Sequence, residues 1–167
     1  MLYFLILVFG IFSRLVVHLP NFTPVIVLSL LSGVYLPRKY SLIFPFGLML
    51  ISDLLLGLHD TVAFTWGSVV LIASLGILIR KNRRMDILAG YSIVAAFIFF
   101  LITNFGAWLS LYPRTVDGLR LCYLAALPFF RMEILSSVLY TVMIVGLYGY
   151  VARQIKASQA AKLWLAN

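Results

Sequence analysis

The sequence predicts an all-α polytopic membrane protein: six transmembrane helices bundled into a single domain over residues 1–167. Three observations predict it. First, 63% of the residues are hydrophobic, 11% are charged and the mean hydropathy is +1.08. A soluble domain of this size needs far more polar surface to cover its core. Second, the apolar residues fall into stretches close to the roughly 17 to 25 residues that cross a bilayer. Third, the loops alternate in character. One set is short and basic: Arg38-Lys39, then residues 80–84, then a tail with Arg153, Lys156 and Lys162. The other set is rich in groups that can hold a ligand: residues 18–24, 53–60 and 104–131.

Span one covers residues 2–17. It reads as retained, because it lacks a basic n-region and a small-x-small cleavage site, and Arg14 interrupts it. Span two, residues 24–36, is short, with Pro24 in its first turn, where a missing N–H is harmless. Span three, 40–57, carries Pro45 and Gly47, which predict a kink. Span four covers 62–79, span five 87–109 and span six 132–151. In hydrocarbon every backbone group must be paired internally, so all six are expected to be helices. Residues 118–130 are apolar but short and contain Pro128, which predicts an external cap or a re-entrant segment. If that stretch crossed the membrane, the helices would number seven and the C-terminus would change sides. The tail, 152–167, reads as a helical extension or a basic amphipathic segment at the inner surface, or as the frayed end of span six.

With six spans, both termini share a side with the loops after spans two and four. That side holds nine Lys/Arg residues, and the other holds four: Arg14, Arg114, Arg120 and Arg131. The positive-inside rule then places both termini in the cytoplasm and the elaborate loops outside. This also accounts for the formal charge of +8 without nucleic acid, because the basic residues flank apolar spans and form no aromatic-interleaved patch. The single cysteine, Cys122, excludes an intrachain disulfide. No Walker A loop, HExxH, GxSxG or intramembrane aspartate pair is present. No enzyme activity, cofactor or bound metal is expected, and energy for transport would come from a partner or a gradient.

Arg14 and His18 stand one helical turn apart at the outer end of span one. They read as a cationic pair facing a ligand, or as a snorkelling arginine with an interfacial histidine. Two prolines stiffen the loop that follows, in which Asn21 and Thr23 offer polar contacts beside Phe22. Asp53 lies near the outer end of span three. A carboxylate within a span costs roughly 2.5–3.5 kcal/mol at the centre and less near the ends, so it needs a partner. Arg14 is a candidate partner; a ligand or ion contact is the alternative. His59 and Asp60 follow in the outer turn and read as solvated. Trp66 falls early in span four. Asn104, Trp108 and Tyr112 share one helical face, suited either to a ring-bearing ligand or to the aromatic belt of the interface. In the cap, Tyr123 adds an aromatic, and Arg131 just after it adds a cation. Cys122 reads as a buried inert thiol, with ligation of a soft metal as the minor alternative.

Several strings carry a resemblance: Arg14…His18-x-Pro20-Asn21-Phe22-Thr23-Pro24, Ser52-Asp53-Leu54-x-x-Gly57, and Ile102-Thr103-Asn104-Phe105-Gly106-x-Trp108 through Tyr112-Pro113 to Tyr123 and Pro128-Phe129-Phe130. Over most of the chain they resemble the small membrane proteins of domain of unknown function 6580. Those are similar in size and topology to the substrate-binding S-components of energy-coupling-factor (ECF) vitamin transporters. The resemblance implies a six-helix bundle of ECF S-component type in a bacterial inner (cytoplasmic) membrane. Its ligand site would lie near the outer face, closed by the loops after spans one, three and five. The implied partners are a small-molecule nutrient, the lipid bilayer, and an ECF coupling subunit with its ATPases. The small-x-x-x-small docking pattern of S-component helix one is not met, because Arg14 stands four residues after Gly10. A solitary transporter therefore remains open, and with it a corrinoid ligand for which Cys122 would be the candidate thiol.

Together these readings predict a membrane-embedded uptake protein for a small organic nutrient, a vitamin or vitamin precursor. The rival is a structural membrane scaffold of S-component size that holds no ligand.

Overall fold

The computed structural model describes residues 2–16 and 20–165, with side chains described for 6–16 and 20–154. All regular structure among the described residues is helical: α1 (Leu2–Leu15), α2 (Val25–Tyr35), α3 (Arg38–Ser41), α4 (Ile43–Leu56), α5 (Val62–Ile79), α6 (Met85–Leu111) and α7 (Val116–Leu165). Among the described residues, four helical stretches are long and apolar enough to cross a membrane: Arg38–Leu56, Val62–Ile79, Met85–Leu111 and Val116–Gln154. The apolar helices α1 and α2 are shorter.

The exterior is apolar. Leu54, Leu78, Leu111 and Val116 are between 62% and 79% exposed, whereas Asp53 is 1% exposed. This inversion suits hydrocarbon rather than water. Several serine and threonine hydroxyls in the interior bond along their own helices: Ser29 Oγ donates to the Val25 carbonyl and Thr141 Oγ1 to that of Ser137, each at 2.7 Å, whereas Ser137 Oγ has no partner among the described residues.

α2 sits at the centre. Residues 25–34 are all buried, and at about 1.5 Å per residue the helix reaches roughly half the hydrocarbon thickness. A short helix with buried ends must have its end carbonyls paired by neighbours. Arg80 Nη2 donates to the Leu36 carbonyl at 2.6 Å, and Arg83 Nη2 reaches that of Val34 at 3.5 Å. The Arg83 guanidinium also lies 5.0 Å above the Tyr35 ring. Two cations at a helix C-terminus also oppose its dipole favourably. α2 packs closely on α5 because Gly33 faces Gly76: a Cβ on Gly33 would overlap the Ala73 carbonyl oxygen, and one on Gly76 that of Leu30. Small residues that let helix backbones approach are the usual glue of membrane bundles.

Several boundaries differ from the sequence reading. The kink expected at Pro45 and Gly47 is a break at Leu42, between α3 and α4. Pro45 then falls in the first turn of α4, where no helical bond needs its missing N–H. Pro24 is the N-cap of α2 rather than part of its first turn. The expected separate cap, 118–130, and span six are one continuous helix, with Pro128 inside it. α6 and α7 form an antiparallel hairpin, so neighbouring α6 supports the turn that Pro128 weakens. The tail continues as helix through Leu165.

Candidate functional site

The charged centre is built by three helix ends. Arg14, in the last turn of α1, places Nη1 2.6 Å from Asp53 Oδ1 near the end of α4. The same nitrogen also donates to Ser52 Oγ and lies 3.4 Å from Met49 Sδ. The other carboxylate oxygen, Oδ2, accepts from Trp66 Nε1 in the first turns of α5 at 2.7 Å. Phe46 packs edge-on against the Trp66 ring at 5.3 Å. His59 approaches from the rim, with Nε2 3.9 Å from Asp53 Oδ2 and Nδ1 2.9 Å from Thr61 Oγ1. Asp53 thus has a cationic partner on one oxygen and a neutral donor on the other. That is the arrangement in which a buried carboxylate is tolerated.

Beside this centre lies a cavity of about 280 Å³. Arg14 lines it from α1, Asn21 and Thr23 from the following loop, and Thr65 from α5. Val25, Ile26, Met49, Leu56 and Phe99 supply apolar wall, and Glu133 enters from α7. Glu133 is 2% exposed. Its Oε2 accepts from Asn21 Nδ2 at 3.3 Å, while its Oε1 has no hydrogen-bond partner among the described residues. Asn21 adopts φ 58°, a left-handed conformation that asparagine tolerates better than most residues. In that conformation its carbonyl also accepts from Ser136 Oγ at 3.3 Å, so the loop is tied to α7 at two points.

Of the residues singled out in the sequence, Arg14, Asn21 and Thr23 line the cavity, and Asp53 and Trp66 stand directly behind Arg14. Phe22 packs on Tyr140 of α7, ring centroids 5.8 Å apart. His18 lies outside the described residues. The outer α6–α7 set is not brought to the cavity. Asn104 Nδ2 donates to the Phe100 carbonyl at 2.8 Å, Trp108 Nε1 to that of Pro113 at 3.0 Å, and Tyr123 OH to that of Leu101 at 2.7 Å. The Tyr123 hydroxyl ties α7 to α6, the Trp108 indole ties α6 to the turn after it, and the Asn104 amide bonds within α6. Tyr112 caps the end of α6 and Arg131 is exposed on α7. The Cys122 thiol is buried against α6, with Sγ 3.4 Å from the Asn104 carbonyl oxygen, and is not part of the cavity wall. Among the described residues no group of three His, Cys, Asp or Glu side chains is placed to hold a metal ion.

Glu133, Thr65 and Ser136 were not singled out by the sequence reading. The signal for Glu133 was present: it is the chain's only glutamate and stands within an apolar run.

The basic residues of the connections after α2 and α5 gather at the other end of the bundle, where Arg80 reaches the Leu36 carbonyl. Thr65 and Arg80 lie at opposite ends of α5, roughly 20 Å apart at 1.5 Å per residue. The cavity and the basic loops therefore occupy opposite ends of α5.

No curated protein and no solved structure matches the chain. The family of unknown function DUF6580 matches over residues 1–160, and the chain belongs to that family.

Proposed function

We propose that this protein binds a small organic nutrient within the membrane and serves its uptake, without catalysing a reaction. The observation that carries this reading is the cavity of about 280 Å³ between Arg14, Asn21, Thr23, Thr65 and Glu133. Small-molecule sites are mostly apolar concavities, on the order of 300–1,000 Å³, with a few convergent polar groups. This cavity sits at the lower edge of that range and has that lining. A whole corrinoid fits that volume less well. A compact vitamin, or the ring fragment of one, is the better match.

By the positive-inside rule the basic end faces the cytoplasm and the cavity the outside. Both termini are then cytoplasmic, with α1 and α2 completing six passes through an inner membrane. α2, too short to cross alone, does so inside a sleeve of neighbours. On this reading the chain is a substrate-binding subunit of ECF S-component type. It either works alone or docks to a coupling subunit whose ATPases supply the energy.

The test is extraction. Protein purified in mild detergent is denatured in organic solvent, and the released compounds are identified by mass spectrometry. We predict one organic compound enriched with the wild type and absent from Thr65→Trp, whose indole would fill the cavity. Equal extracts from both proteins would favour a ligand-free scaffold.

A further inference from the structure

Two ionisable side chains line the cavity among the described residues, and they are not equivalent. Arg14 is matched by Asp53 at 2.6 Å and donates to Ser52 as well. Glu133 is not matched. It is 2% exposed, Oε2 accepts one long bond from a neutral amide at 3.3 Å, and Oε1 accepts none from a described residue. No described Arg, Lys or His side chain forms an ion pair with it.

An unpaired carboxylate oxygen in an apolar interior is costly, and its best partner is a charged N–H donor. A protonated ligand nitrogen would compensate the charge that Glu133 carries when ionised, which no described side chain does. The rest of the wall suits an apolar body, with Phe99, Ile26 and Leu56 available to cover it. Asn21 acts as a positioning residue: its two ties to α7 hold the carboxylate by Oε2, while Oε1 is buried without a hydrogen-bond partner among the described residues.

Resting on the binding reading above, we propose that the cavity selects a small organic cation, a solute with a compact ring or aliphatic body and a protonated nitrogen that donates to the Glu133 carboxylate. Arg14, already neutralised, would contribute a polar edge and disfavour a second cation.

The experiment compares three probes of similar shape, benzylamine, benzyl alcohol and benzoate, by calorimetric titration of the full chain in detergent. Benzylamine should bind the wild type about tenfold or more tighter than benzyl alcohol, the ratio one charge-assisted hydrogen bond supports, with benzoate weakest. In Glu133→Gln that preference should fall to within about twofold, through loss of benzylamine affinity. If Glu133→Gln fails to fold, Glu133→Asp keeps the charge but withdraws the oxygen by one methylene, and should lower benzylamine affinity selectively. Benzoate or benzyl alcohol binding as tightly as benzylamine would overturn the proposal, as would a benzylamine preference that survives loss of the carboxylate. Binding of none of the three would overturn it too. The extraction experiment then separates the two failures: a neutral or anionic compound released from the wild type sinks the cation assignment alone, whereas no enriched compound sinks the binding reading with it.

Discussion

Arg14 and Asp53 each carry a charge that apolar surroundings penalise if it stands alone. Together, with Ser52 and Trp66 completing their hydrogen bonds, they form a satisfied unit at the junction of α1, α4 and α5. Removing one partner strands the other, at a cost of about 3–5 kcal/mol for a buried pair. We predict that Asp53→Asn or Arg14→Gln alone lowers thermal stability in detergent, and that the double variant recovers part of the loss. Additive losses in that cycle would show that the pair is not coupled. This pair was legible in the sequence because a charge inside an apolar span demands a partner and few were on offer. Glu133 obeys the same logic but was masked by its neighbours. Pro128 and Arg131 make the stretch before it look like a boundary, so the carboxylate reads as belonging to a helix end. Because α7 runs unbroken through that point, Glu133 is an interior residue instead. Asn104, Trp108 and Tyr112 show the converse. Their i, i+4 spacing correctly places them on one face, but periodicity does not say what that face meets, and here Asn104 and Trp108 spend their donors on backbone carbonyls of the hairpin.

At the scale of elements, hydropathy locates α5 at 62–79 to the residue and α6 within two residues at either end, since both are long uninterrupted apolar runs. It does not show that α2 is the buried centre, because α2 and the helices around it are equally apolar. What identifies the centre is close backbone approach, at Gly33 and Gly76. We predict that Gly33→Val or Gly76→Val lowers the melting temperature, because a side chain there forces α2 and α5 apart, at about 1–3 kcal/mol for overpacking. Gly47 and Gly90 are also helical, but a Cβ at either meets nothing within 4 Å. Alanine at those two positions should be neutral, or stabilise by up to about 1 kcal/mol through helix propensity. Thermal unfolding in detergent distinguishes the two classes. Equal responses at all four glycines would remove the tight α2–α5 crossing from the account.

The whole molecule is polarised: a charged cavity at one end of α5, a basic collar at the other. Arg80 and Arg83 belong structurally to that collar, since they hold the end of α2. We predict that, in a Cys122→Ala background, Thr23→Cys is labelled in intact cells by a membrane-impermeant maleimide, while Lys81→Cys is labelled only after lysis. The opposite pattern would invert the protein and turn the cavity toward the cytoplasm. The central claim is that the cavity holds one small molecule, and native mass spectrometry of the intact chain released from detergent tests it most directly. The account predicts a wild-type species carrying a single small organic adduct, which Thr65→Trp abolishes and Glu133→Gln depletes. A wild-type spectrum with only the bare chain and lipid adducts, indistinguishable from that of Thr65→Trp, would contradict it.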